Sequence, residues 1–361
     1  MTGTLARYFG LRFLSTLAAV LAGVFSIIIL IDYVEMMRRM ADVPNVSAFL
    51  VAKTSLYRVP QIAERILPFC VLIGAMSCYL GLSRRLELVV SRAAGMSAWQ
   101  FTAPALVIAL VVGAIATTVY NPLAAVLHER SKRLEAEISG NVQGLQAVAN
   151  GFWVRQRGSD NQSIVNAVSS REQGVQLSSI TAFVFDLNGR FLERIEAKSA
   201  VLEPGHWRLA EARIYALGTP TGEHETYLLS TNLTPEQVRE SFSTPETVPF
   251  WQLPQFIDMA ERAGLAAAGY RLQYQKLLAR PFMLAAMVLL AAAFSLRFFR
   301  FGGVQKMVLG GVISGFLLYV MAKVTDDLSH AELLRPAVAA WLPVLVGGMT
   351  GLVALLYLED G

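Results

Sequence analysis

Long uncharged stretches dominate the pattern of apolar and polar positions along this chain. A bilayer core about 30 Å thick is crossed by about 20 apolar helical residues, and six stretches approach that length. They are Phe13–Ile31, Ile66–Ser83, a run within Met96–Leu127, Pro281–Leu296, Met307–Ala322 and Pro336–Leu358. The pattern therefore predicts six transmembrane helices. The fourth and fifth runs are the shortest, and the fourth is extended outward by a turn or two that includes Lys276 and Arg280.

The stretch between the third and fourth runs alternates apolar and polar residues over short segments, which is typical of β-strands. The candidate strands are FWVRQR, SIVNAVS, ITAFVFD, RFLERIEAKSAVL, HWRLAEARIYAL and TYLLSTNL. Asn188-Gly189 is a strong hairpin signal, and the EPGH turn before Trp207 is a second one. Strands at this spacing predict an antiparallel sandwich or jelly-roll. A helical segment, PQFIDMAERAGL, then leads back to the membrane.

These elements predict a membrane α-helical fold with an inserted all-β domain, in which six transmembrane helices, three plus three, flank a β-jellyroll. The predicted boundaries are 1–125 for the first three helices, 126–250 for the β domain, and 251–361 for a linker helix and the last three helices. Lys and Arg in short loops favour the cytoplasmic side. With the N-terminus inside, the inner loops hold Arg7, Arg12, Arg84, Arg85, Arg92, Arg297, Arg300 and Lys306, and the outer loops hold the smaller set Arg38, Arg39, Lys53, Arg58 and Arg335. The termini are therefore predicted to be cytoplasmic and the β domain periplasmic.

The connection between the second and third runs, SRRLELVVSRAAGMS (residues 83–97), has the pattern of a short amphipathic helix. Its apolar side carries Leu86, Val89, Val90, Ala93 and Ala94, and its polar side carries Arg84, Arg85, Ser91 and Arg92. Gly95 is suited to end the helix. Two interpretations remain open from the pattern alone: a helix lying on the inner leaflet near anionic headgroups, or a helix that docks on a partner protein.

Composition and motifs exclude several function classes. The chain is 54% hydrophobic and 16% charged, which is typical of membrane proteins. It has no GxxxxGK[ST], HExxH, GxSxG or CxxC motif, so neither a nucleotide site nor a catalytic or metal site is predicted. Its basic residues cluster at membrane boundaries, which argues against nucleic-acid binding. Energy for any transport must then come from a partner or from a gradient. Because the interiors of the spans lack the Asp, Glu or His chains of a proton relay, an ATP-hydrolysing partner is favoured.

Basic residues gather at the outer ends of several predicted helices. Arg38, Arg39, Lys53 and Arg58 flank the first outer loop, Arg65 lies beside Glu64 at the mouth of the second span, and Lys276, Arg280 and Lys323 lie at the fourth and fifth. Ionisable residues at membrane depth point to function, and Arg suits bidentate phosphate contacts. We call these residues the basic outer ring, and together they predict an anionic ligand. The alternative for each single residue is snorkelling to lipid headgroups.

Several segments together resemble the LptF/LptG permeases of the lipopolysaccharide export ABC transporter. They are RRLELVVSRAAGMS, VPQIAERILPFCVLIGA, HWRLAEARIYAL, STNLTPEQV and GYRLQYQKLLARPF. The resemblance runs essentially from end to end, and the stretch Glu87 to Gly95 is its most specific part. The WRL and TNLTP stretches are more similar to the LptG branch than to LptF.

The resemblance implies a set of partners and residue roles. The implied partners are an LptF-like permease in a heterodimer, an LptB-like ATPase dimer that binds ATP and Mg, LptC, and LptA reached through the jelly-roll, with lipopolysaccharide as substrate in the bacterial inner membrane. It implies that Arg85, Glu87, Arg92, Ala94 and Gly95 couple to the ATPase, and that Arg38, Arg39, Arg65, Lys276 and Arg280 bind lipopolysaccharide. No cofactor is implied for this chain itself. Asp32 departs from the family, in which a lysine is common at this position.

Two other interpretations are compatible with the pattern. In the first, the chain is a membrane-anchored scaffold whose β domain binds a partner. In the second, it is a permease of another ABC class that handles lipoproteins or division signals. The scaffold gives no reason for an amphipathic inner helix or for a basic outer ring. The other ABC class predicts fewer spans and a different position of the outer domain.

Overall fold

The computed structural model describes residues 2–40, 47–138, 146–157, 162–171, 175–186, 190–216, 222–231, 245–262, 267–299 and 304–359. The helices are α1 (Thr2–Arg39), α2 (Ala48–Arg84), α3 (Glu87–Ala93), α4 (Ala98–Ile115), α5 (Asn121–Ile138), α6 (Leu253–Arg262), α7 (Ala268–Phe299), α8 (Val304–His330) and α9 (Pro336–Glu359). A π-helical turn, Ala116–Tyr120, joins α4 to α5 without a break.

Six helices in the described part of the chain are long and apolar enough to cross a membrane, which confirms the predicted number. They are α1, α2, the continuous α4–α5, α7, α8 and α9. The two short apolar runs lie within longer helices, since α7 has 32 residues and α8 has 27. At 1.5 Å per residue even α8 is about 40 Å long, so polar turns at the ends supply the length that the apolar runs lack.

The core of this helical bundle is formed by apolar side chains from α1, α2, α4 and α7. Phe13, Leu72, Phe101 and Leu284 are each at most 1% exposed. Helix α7 is the central element, because it contacts α2, α4, α8 and α9. A Cβ atom at Gly113 of α4 would collide with the backbone of Pro281, so glycine at this position is what lets α4 and α7 pack closely.

The β-strands are β1 (Gln146–Arg157), β2 (Gln162–Arg171), β3 (Gln176–Phe185), β4 (Phe191–Glu203), β5 (His206–Ala216) and β6 (Gly222–Ser230). They form one antiparallel sheet in the order β1-β2-β3-β4-β5-β6. The predicted inserted all-β domain is confirmed, and each of the six candidate strands overlaps one of these strands, although residues 217 and 232–233 of the candidates lie outside the described residues. The turn between β4 and β5 has Gly205 at φ +86°, as the EPGH signal indicates. Asn188-Gly189 lies outside the described residues, although β3 and β4, which flank it, pair as the hairpin requires.

One face of the sheet buries an apolar core, and a polar network within it joins the two ends of the strand order. Trp207 of β5 is 2% exposed and donates from Nε1 to Gln156 Oε1 of β1 at 2.9 Å. Thr231, which directly follows β6, donates from Oγ1 to the same oxygen at 2.8 Å. Gln156 in turn donates from Nε2 to Ser163 Oγ at 2.9 Å. Because β1 and β6 are the first and last strands, the sheet must roll for these side chains to meet.

The chain divides into two compact units. The first comprises 1–131, 249–253 and 268–361, and it contains the long helices. The second comprises 132–248 and 254–267, and it contains the β-sheet. Within the first unit we refer to the end of the bundle where α1 ends and α2 begins as the rim end. The opposite end, where α2 ends and α4 begins, is the coupling end.

Candidate functional site

The predicted amphipathic segment at the coupling end contains helix α3, from Glu87 to Ala93. Arg84 is the last residue of α2, and Leu86 takes a left-handed conformation with φ +61° that turns the chain into α3. Gly95, at φ +85°, ends the segment, as the sequence predicted. The helix is therefore a separate short element held between two sharp turns.

One residue of α3 anchors it, and the predicted apolar side is left open. Leu88 is 3% exposed and belongs to the core of the helical bundle. Leu86, Val89 and Val90 are 59%, 43% and 66% exposed, and Ala93 is also exposed. Leu88 was not predicted as an anchor, because it lies off the apolar side that the periodicity marks. The sequence feature that could have identified Leu88 is that it is an apolar residue on an otherwise charged side of the helix. The result is an apolar surface that points away from the chain's own core.

A hydrogen-bond chain ties α3 to the start of α1. Tyr8 donates its hydroxyl to Glu87 Oε2 at 2.9 Å, and Arg12 donates from Nε to the Tyr8 oxygen at 3.3 Å. The Arg12 guanidinium also lies 5.7 Å from the centre of the Tyr8 ring, within range of a cation–π contact. Among the predicted coupling residues, Arg85, Arg92, Ala94 and Gly95 are exposed, and Glu87 is half-buried. Sequence reasoning did not find Tyr8, which lies 79 residues from Glu87.

At the rim end, the predicted basic pair shares a carboxylate on its own helix. Glu35 bonds Arg38 Nη2 at 2.9 Å and Arg39 Nε at 2.9 Å. The side chains of the two arginines are 78% and 54% exposed. Exposed pairs of this kind stabilise by about 0–1 kcal/mol. An anionic ligand could therefore compete with Glu35 at little cost. Arg65, on α2, is exposed as well.

The other two predicted rim residues differ from each other in burial. Lys276 of α7 bonds Asp326 of α8 at 2.6 Å, and its side chain is 42% exposed. Arg280, one turn further along α7, pairs with Glu64 of α2, with side chains only 16% and 6% exposed.

Glu64 is the centre of a buried network. Besides Arg280 it accepts from Asn121 Nδ2 at 2.8 Å, and Asn121 Oδ1 accepts from the backbone N–H of Phe250 at 3.0 Å. The network therefore links α2, α5, α7 and the segment 249–253. Removing one member of a buried ion pair commonly costs 3–5 kcal/mol, since the remaining charge has no partner. Arg280 is thus committed to packing the bundle.

Asp32 of α1 forms a second buried ion pair. It is 5% exposed and accepts from Arg58 Nη2 at 2.6 Å, from Arg58 Nε at 3.0 Å and from Ser55 Oγ at 2.7 Å. Both Arg58 nitrogens donate to Asp32 Oδ1 and Ser55 donates to Oδ2, so the contact joins α1 to α2. Sequence reasoning counted Arg58 as a basic outer residue and did not pair it. The available signal was that Asp32 and Arg58 lie at similar distances from the loop between α1 and α2.

The comparisons with known proteins agree with one another. Residues 7–357 match the family model described as "Lipopolysaccharide export system permease LptF/LptG". The chain is 24% identical to the lipopolysaccharide export system permease protein LptG of Escherichia coli strain K12 over 354 residues, 94% of each chain. It is 22% identical to LptG of Haemophilus influenzae over 358 residues, 96% of each. The resemblance seen in the sequence is confirmed, and the chain belongs to the LptF/LptG family of lipopolysaccharide export permeases.

Proposed function

We propose that this chain is the LptG-type subunit of an inner-membrane transporter, in which it pairs with an LptF-like permease and is driven by an LptB-like ATPase dimer. The observation that carries the proposal is helix α3. Its apolar side is exposed while Leu88 and the Tyr8–Glu87 bond hold it in place. A chain with no nucleotide motif of its own needs such a surface to receive work from a partner.

Lipopolysaccharide binds at the rim end through Arg38, Arg39, Arg65 and Lys276. Two observations support this set: the four side chains reach solvent, and Arg38 and Arg39 are exposed enough in their pairs with Glu35 for a ligand to compete. Phosphate, in addition, accepts Arg in a bidentate geometry. Arg280 has a different role, because its pairing with Glu64 is buried. It holds α7 against α2 and positions the rim without touching the ligand.

The termini are cytoplasmic and the β domain periplasmic in this proposal, following the distribution of Lys and Arg in the short loops. The β domain then continues toward LptC and LptA. Its described interior is filled by its own side chains, including Trp207 at 2% exposure.

The test uses the assembled complex with its ATPase in lipopolysaccharide-containing nanodiscs. A photoreactive amino acid replaces Met37, which lies beside Arg38 and is 40% exposed, and in a separate sample Leu309, which is 61% exposed near the coupling end of α8. We expect lipopolysaccharide adducts at position 37 that decline on adding ATP, and few adducts at position 309.

Charge variants sharpen this test. Replacing Arg38 and Arg39 together by Gln should lower the adduct yield at position 37 by about tenfold, the ratio that corresponds to about 1.4 kcal/mol. Glu35→Gln is the matched control, since it frees the same arginines from their carboxylate and should not lower the yield. Equal yields at positions 37 and 309, or no effect of ATP at either, would show that the rim is not the substrate site.

A further inference from the structure

A groove on the helical unit is used neither by the coupling helix nor by the rim. Its volume is about 910 Å³, within the range of 300–1,000 Å³ of small-molecule sites. It lies between α7, α8 and α9, and its walls include Ala293 of α7, Leu317 of α8, and Met349, Val353 and Ala354 of α9. Tyr357, near the end of α9, lies at its coupling end and is 83% exposed.

The packing of α8 and α9 explains why the groove exists. Near its start, α8 packs closely against α2. A Cβ atom at Gly311 would collide with Met76, and one at Gly315 would collide with Leu72, so glycine at these positions permits the contact. Nearer the rim end, α8 and α9 are in contact. A Cβ atom at Gly347 would lie 2.8 Å from Leu318 Cδ2. With α8 held by α2 at one end and by α9 at the other, the space between α8 and α9 toward the coupling end stays open.

The chemistry of the walls selects the ligand. None of the lining residues is Asp, Glu, Lys, Arg or His. The two aliphatic hydroxyls are already used within their own helices: Ser314 donates to Gly311 O at 2.8 Å, and Thr350 donates to Val346 O at 2.7 Å. Apart from Tyr357 at its coupling end, the groove therefore offers van der Waals contact and no polar group that is free of its own helix.

We propose that this groove binds one acyl chain of a bilayer phospholipid, whose headgroup lies at the level of Tyr357. Aromatic residues of this kind concentrate at the membrane interface. Lipid tails are as apolar as the groove, so occupancy depends on van der Waals contact and shape and not on the hydrophobic effect. Filling the groove with a larger side chain should therefore displace the tail. This inference is independent of the substrate path proposed above.

The experiment uses the full chain in its complex, in nanodiscs of phosphatidylethanolamine and phosphatidylglycerol. The probe is phosphatidylethanolamine with a diazirine on one acyl chain, and adducts are mapped by peptide mass spectrometry. We expect adducts to concentrate on Leu317, Met349 and Val353. Ala354→Phe should reduce them by about fivefold. The matched control is Leu352→Phe, on the same helix and 43% exposed but outside the groove, and it should leave them unchanged.

Each other outcome overturns the proposal. Adducts spread equally over the exposed Phe316 and the groove would mean annular lipid only. Absence of adducts in the assembled complex would mean that a partner's helix fills the groove. Preferential labelling by diazirine-bearing lipopolysaccharide would make it part of the substrate path. Ser314→Leu fills the groove from the opposite wall, so it provides the same test if Ala354→Phe fails to assemble.

Discussion

At the scale of single residues, two prolines inside the long helices account for two threonine contacts. Proline lacks an N–H, so the carbonyl four residues earlier loses its helical partner. Pro281 leaves the carbonyl oxygen of Leu277 without its helical partner, and Thr117 of the π-helical turn donates to that oxygen from Oγ1 at 2.9 Å. Pro343 likewise leaves the carbonyl oxygen of Ala339 without its helical partner, and Thr325 of α8 donates to that oxygen from Oγ1 at 3.1 Å. A hydroxyl from a neighbouring helix thus replaces each lost backbone bond where water is absent.

Thr117→Val tests this replacement at the cleaner of the two sites. Valine has nearly the same shape but no hydroxyl, so Leu277 O would lose its partner. We expect a loss of about 1 kcal/mol in the free energy of unfolding of the helical unit, measured by denaturation in mixed detergent micelles. Thr117→Ser should restore most of it.

The neighbouring residue provides the control. Thr118 is half-buried and bonds Ala114 O of its own helix at 2.8 Å, so Thr118→Val should change the same free energy little. If the two valine variants destabilise equally, the contact between Thr117 and Leu277 has no special role.

At the scale of elements, α3 shows how a short helix can be held and still present a free surface. Seven residues are too few for a stable isolated helix. Leu88 and the Tyr8–Glu87 bond supply the tertiary contacts that stabilise it. The element is therefore positioned by α1 and the bundle core, and Val89 and Val90 remain available to a partner.

Glu87→Lys is predicted to uncouple ATP hydrolysis from lipopolysaccharide release in the reconstituted complex. The substitution reverses the charge at the proposed ATPase contact, so ATPase activity should persist while release per ATP falls several-fold. Tyr8→Phe is the matched control, because it removes the same internal hydrogen bond and leaves the carboxylate in place. If Tyr8→Phe uncouples as strongly, Glu87 acts by holding α3 and not by contacting the partner.

At the scale of the whole molecule, the chain is two compact units, each with its own core. The buried Gln156 network belongs entirely to the unit with the β-sheet. Every member of the network has a partner, which is the condition under which buried polar groups support a specific fold. Its effect on stability should therefore be confined to that unit.

Gln156→Leu should lower the thermal midpoint of the β domain and leave that of the helical unit unchanged. The substitution removes the acceptor of Trp207 Nε1 and Thr231 Oγ1, a loss of about 1–3 kcal/mol for each buried donor left without a partner. Fluorescence of Trp207, in a background where the other four tryptophans are replaced by phenylalanine, reports on the first transition, and the helical signal in far-ultraviolet circular dichroism reports on the second. Thr226→Val, at an exposed position of β6, is the control. A parallel fall of both midpoints would show that the units unfold together.

The sequence by itself determined the element types, because each follows from local pattern. Six apolar stretches, the alternating strands and the glycine that ends the coupling segment all act through residues near in sequence. The positions of Lys and Arg at the ends of the apolar stretches were likewise enough to group the basic residues of the rim. The match to the family also needed no structure.

Only the tertiary structure decided which of those charges are available and what holds each element. Arg280 and Arg58 have the same residue type as Arg38, yet the first two are paired in the interior and the third is 78% exposed. Their partners, Glu64 and Asp32, lie 216 and 26 residues away in the chain. Burial and pairing depend on neighbours that folding brings together, and periodicity along one segment carries no information about them.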